Sequence, residues 1–70
     1  MPKLYSSLYV LKILMAHGFV FVSQKGSHVK VRKDGNAVLT VIVPAGRKEI
    51  PMGTMRSILR QSQLALLDFE

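Results

Sequence analysis

Residues His28-Val29-Lys30-Val31-Arg32-Lys33 begin by alternating polar and apolar side chains. Successive side chains on a strand point to opposite faces, so Val29 and Val31 face one way and His28, Lys30 and Arg32 the other. That pattern calls for a sheet covered on one face only: the valines need an apolar layer and the cations need water. Seventy residues must supply that layer without a single cysteine, so neither a disulfide nor a thiolate metal site helps. The core rests on packing alone. An apolar content of 49% is enough for this and excludes a linker or an acidic tail.

The covering layer is legible on both sides of the strands. From Ser6 or Ser7 to His17 the period is helical. Leu8, Leu11 and Met15 share one face with Leu4 leading in, and Val10, Ile13 and Leu14 widen the stripe. A serine serves as N-cap and Gly18 as the residue past the C-cap, with His17 favouring the helix dipole. Tyr5 and Tyr9, one turn apart, read as partly exposed residues of this helix. Phe19-Val20-Phe21-Val22 reads as a first strand that places both phenylalanines in the core. Residues 28–33 form the second strand, Asp34-Gly35-Asn36 a hairpin turn, and Ala37 to Val43 the third strand. Pro44 to Pro51 is a loop. A second helix runs from Met52 to about Gln63 and buries Met55, Ile58 and Leu59. Leu64 to Phe69 is a further short helical turn or a packing tail. The expected fold is one α+β domain over residues 1–70, in the order α-β-β-β-α. Its three-stranded antiparallel sheet carries two helices on one face.

Ten Lys and Arg against four Asp and Glu leave a net charge of +6. Such a charge density draws polyanions, although a basic surface can also serve solubility alone. No apolar run reaches membrane-span length and no secretory pattern opens the chain, so a soluble cytoplasmic domain is expected.

If this chain does chemistry at neutral pH, His28 is its best-placed group, since imidazole is the side chain whose ordinary range lies there. It follows the tight turn Gln24-Lys25-Gly26-Ser27, in which Gly26 permits close backbone approach to a phosphate and Ser27 offers a hydroxyl. Cleaving RNA requires removing the 2′-OH proton, protonating the leaving 5′ oxygen and stabilising charge on phosphorus. His28 suits the proton transfers and Lys25, Lys30, Arg32 and Lys33 the electrostatics, with Arg47 and Lys48 as weaker candidates. An exposed strand histidine with no role accounts for His28 equally well on spacing alone. The start of the second helix, with Arg56 and Arg60 beyond it, reads as an anion site or as simple capping by Thr54. No cluster of His, Asp or Glu suggests a metal, and no phosphate-cradling glycine loop occurs. Metal-free chemistry on RNA is the consistent option.

Gly18-Phe19, Gln24-Lys25-Gly26-Ser27-His28, Val43-Pro44, Glu49-Ile50-Pro51 and Gly53-Thr54-Met55-Arg56-Ser57-Ile58-Leu59-Arg60-Gln61, in this order and spacing, resemble the HicA family of mRNA interferase toxins. The resemblance spans about Leu8 to Leu64. It implies a fold similar to a double-stranded-RNA-binding domain, and cleavage of mRNA that arrests translation and growth. It also implies an essential histidine, here His28, and a HicB-type antitoxin that covers the active site. No cofactor is implied. Some family members carry a second histidine after the Val-Pro of the third strand, where this chain has Ala45-Gly46-Arg47-Lys48. Here, then, His28 shuttles both protons, or a lysine or water acts as the acid. A non-catalytic RNA-binding module of the same fold is the rival reading, and a disarmed toxin kept for its antitoxin a third.

Overall fold

A computed structural model describes residues 3–70; Met1 and Pro2 lie outside it. The elements are α1 (Ser7–Ala16), β1 (Val20–Lys25), β2 (His28–Lys33), β3 (Leu39–Pro44), α2 (Met52–Ser62) and a 3-10 turn, Leu66–Phe69. The strands form one antiparallel sheet in the order β1-β2-β3. This is the α-β-β-β-α architecture that the alternation of β2 calls for.

The ladder sorts the side chains into rows. Lys25, His28 and Pro44 share one row, Ser23, Lys30 and Ile42 the next, and Val20, Arg32 and Thr40 the third. These occupy the open face. On the opposite face Val29 pairs with Val43 and Val31 with Val41, and all four are buried. They join Tyr5, Val10, Leu14, Phe19, Ile50, Met55, Ile58 and Phe69 in a single core. Both helices pack on β3.

Helix α1 is turned by about one residue from the expected stripe. Val10 and Leu14 are buried together with Ser7, whereas Leu8 is 80% exposed and Met15 46%. The helix is apolar on nearly every side, so periodicity cannot set its rotation. Polar contacts do: Ser6 Oγ accepts the Tyr9 N–H as the N-cap, which commits Ser7 to the inner face. His17 is the C-cap and Gly18 follows at φ +97°. Tyr5 precedes the helix and is buried, stacked on Tyr9 at 5.3 Å between ring centroids and tilted against Phe69 at 6.2 Å. That corrects its reading as a partly exposed helical residue. Loss of hydration pushes the Tyr5 phenol up from its ordinary value, helped by the charge of Glu70. Tyr9 Oη donates to the Phe69 carbonyl at 2.6 Å, so the C-terminal 3-10 turn is also a packing tail.

Two strand expectations shift. β1 runs to Lys25 rather than stopping at Val22, and its register slips between Phe21 and Ser23. Phe21 is 55% exposed and does not join the core. It lies across from buried Val31 on the helix-side face, but the helices cover only the β2–β3 half of the sheet. β3 begins at Leu39, not Ala37, leaving Val38 exposed in the connection.

Candidate functional site

The hairpin joining β1 to β2 is a two-residue turn, Gly26-Ser27, flanked by the paired Lys25 and His28. Gly26 has φ +58°, the left-handed region that a tight hairpin needs at its first central position. His28 therefore opens β2 on the wet face, beside the turn. Its row neighbour Pro44 ends β3, and the Ala45 N–H donates to the Ser27 carbonyl at 2.7 Å, extending the β2–β3 pairing by one step.

At this end of the sheet lies a cavity of about 530 Å³ lined by Ser27, His28, Ile42, Pro44, Ala45, Arg47 and Thr54. Ile42, Pro44 and Ala45 give it an apolar floor. Ser27, His28, Arg47 and Thr54 supply its polar wall. No carboxylate lines it among the described residues, so the cavity carries positive charge only.

Arg47 owes its position to Ser7. The Ser7 hydroxyl donates to the Pro44 carbonyl at 2.5 Å and accepts the Arg47 N–H at 3.0 Å, while the Ser7 N–H donates to the Arg47 carbonyl at 3.0 Å. Ile50 N–H also donates to the Tyr5 carbonyl at 2.7 Å. The start of α1 thus clamps the loop between β3 and α2. Ser7 holds this loop in place, a role that periodicity alone misses. It stands on the buried side of an otherwise apolar helix, where an unpaired hydroxyl costs free energy.

Thr54 does not cap α2. The N-cap is Pro51, which offers no side-chain acceptor, and Thr54 stands in the first turn facing the cavity. The uncapped first-turn N–H groups leave the positive end of the helix dipole at this wall. Arg60 is drawn aside, its Nη2 donating to Ser57 Oγ at 3.4 Å.

The remaining cations divide. Lys25 shares the row of His28, and Lys30 lies one row further on the same face. Arg32 lies beyond it, its Nε 3.4 Å from Asp34 Oδ1 in a half-exposed ion pair. Lys33 lies on the opposite face, its Nζ 6.0 Å from the Phe19 ring and its Cε within 3.3 Å of where a Cβ on Gly18 would stand. It is not brought together with His28. Lys48 is exposed in the loop outside the cavity lining. Among the described residues no three His, Asp or Glu side chains converge, and no helix is long and apolar enough to cross a membrane.

A small α+β domain with one bare sheet face and a cationic cavity at the mouth of a Gly-Ser-His hairpin defines a class of compact basic modules. Within that class, the family model described as the HicA toxin of bacterial toxin-antitoxin matches residues 9–64. The chain belongs to the HicA toxin family. No curated protein matches it.

Proposed function

We propose that this toxin is a metal-independent endoribonuclease of the cytoplasm that cleaves mRNA, arrests translation and growth, and is neutralised by a HicB-type antitoxin. The observation that supports it most is the make-up of the cavity wall: His28 is the one lining side chain suited to proton transfer near neutral pH, and Arg47 stands in the same wall.

The substrate's own 2′-hydroxyl is the nucleophile. His28 accepts its proton as the 2′ oxygen bonds to phosphorus, and the bond from phosphorus to the 5′ oxygen breaks. Among the described residues no second histidine lines the cavity, so the proton for that oxygen comes from the same imidazole, from a lysine or from water. The products are a 2′,3′-cyclic phosphate and a 5′-hydroxyl. Arg47 and the first turn of α2 oppose the charge growing on the phosphoryl oxygens. Ser27 and Thr54 donate hydrogen bonds, and Gly26 lets the strand approach the turn. Lys25 and Lys30, with Arg32 further out, hold the backbone on the open face, while Lys33 and Lys48 add only to the surrounding field.

Purified protein incubated with a long single-stranded RNA in EDTA, beside His28→Ala, tests this reading. The expected result is cleavage by the wild type alone, with cyclic-phosphate ends. Intact RNA with both proteins, together with a gel shift, reduces the chain to a binding module.

A further inference from the structure

The bare edge of the sheet is the largest feature that the cavity does not use. All six residues of β1 are exposed, including Val20 at 58%, Phe21 at 55% and Val22 at 43%. The strand lies at the end of the order β1-β2-β3, so one side of its main chain faces no neighbour. Among the described residues, no main-chain bond outside the β1–β2 ladder involves Val20–Lys25. Proteins usually blunt such an edge with charge, proline or a covering element. From Val20 to Gln24 this strand has no charge and no proline, and its one irregularity is the slipped register near Val22.

We infer that the free edge of β1 is a docking site for an extended, acidic segment of the antitoxin, which adds to the sheet as a fourth strand. The unpaired N–H and C=O groups of an edge are satisfied by another strand, and neither a helix nor a nucleic acid offers the matching ladder. The apolar run Val20-Phe21-Val22 asks for apolar side chains at one end of the incoming strand. Lys25 at the other end, with Lys30 one strand inward across from Ser23, asks for carboxylates. A second copy of this chain fits poorly, because it brings another net charge of +6 to the same place. Since Lys25 pairs with His28, a strand lying along β1 ends level with His28, with β1 between the two. This docking rests on the antitoxin pairing proposed above and is independent of the ribonuclease chemistry.

The test uses the chain co-expressed with a HicB-type antitoxin from the same source, comparing amide exchange in the complex and in the free protein. Amides of Val20–Lys25 are expected to slow by about tenfold or more in the complex. Phe21→Lys, which changes an exposed side chain, is expected to keep the fold and the RNA cleavage while weakening the complex by about tenfold or more. Wild-type affinity is expected to fall as salt rises. Equal exchange of β1 in both states, with protection confined to the cavity lining, overturns the inference. So does unchanged affinity of Phe21→Lys, a free dimer already protected along β1, or the absence of any complex. Protection of β1 in a protein that fails to cut RNA removes the ribonuclease reading and leaves the docking site standing.

Discussion

The two edges of this sheet are built from similar β-branched sequence and meet opposite fates. β3 is covered: Val41 and Val43 are fully buried, both helices pack on it, and the Gln61 side chain accepts the Ile42 N–H at 3.0 Å. Its C-terminal end is clamped by Ser7 and leads into the cavity wall. β1 has none of these contacts and buries nothing, although Val20-Phe21-Val22 is as apolar as Val41-Ile42-Val43. Two helices of ten and eleven residues can cover about two strands, and this chain spends them on the edge that carries the site. Hydrophobicity along a strand reports what it is able to bury, and the reach of the helix layer decides what it does bury.

The same substitution made on either side of that boundary sharpens the contrast most. Phe19→Ala, at a residue 2% exposed, should cost about 3–5 kcal/mol, enough to unfold most of so small a domain. Phe21→Ala, two residues on, should cost less than about 1 kcal/mol. Urea denaturation of both variants checks the pair, and equal losses would mean that β1 is covered after all. Ser7→Ala strands the Pro44 carbonyl and the Arg47 N–H, and should cost about 1–3 kcal/mol. By loosening the Arg47 loop it should also slow RNA cleavage, whereas Ser6→Ala, which removes a helix cap worth about 1 kcal/mol, should leave cleavage by the folded fraction intact. Gln61→Ala uncovers the Ile42 N–H and should cost roughly 0.5–1.5 kcal/mol, with faster exchange of that amide as the direct readout. The smallest effect is a gain. Gln63 ends α2 at φ +60°, where a Cβ is penalised by about 1–2 kcal/mol, against the roughly 0.4–1 kcal/mol of extra freedom that glycine has when unfolded. Gln63→Gly should therefore raise the melting temperature slightly.

How much of this was legible in the sequence depended on whether one residue or a whole layer set the outcome. β2 was readable to the residue, because its alternation encodes two environments directly. The element order followed from caps, turns and periodicity and α2 from periodicity, although its cap was misplaced at Thr54, and the order Gly-Ser-His, Val-Pro and Gly-Thr-Met-Arg pointed to the family to which the chain belongs. The rotation of α1 was not readable, since seven of its ten residues are large and apolar and a buried serine fixes the rotation. The exposure of Phe21 was hidden for another reason: its face was right, but its strand lies outside the helix layer. At the site, His28 and Arg47 were visible as residue types. Their meeting in one cavity with Thr54 depends on long-range contacts that Ser7 makes 37 and 40 residues along the chain.

The central claim is that the cavity at His28 cleaves RNA through the substrate's own 2′-hydroxyl. An oligoribonucleotide carrying a single 2′-deoxy nucleoside on the 5′ side of a mapped cut tests it most directly. The account predicts that cutting stops at that linkage alone and continues, with cyclic-phosphate ends, at the unmodified ones. Continued cutting at the 2′-deoxy position would show that the nucleophile comes from elsewhere and would contradict the role given to His28.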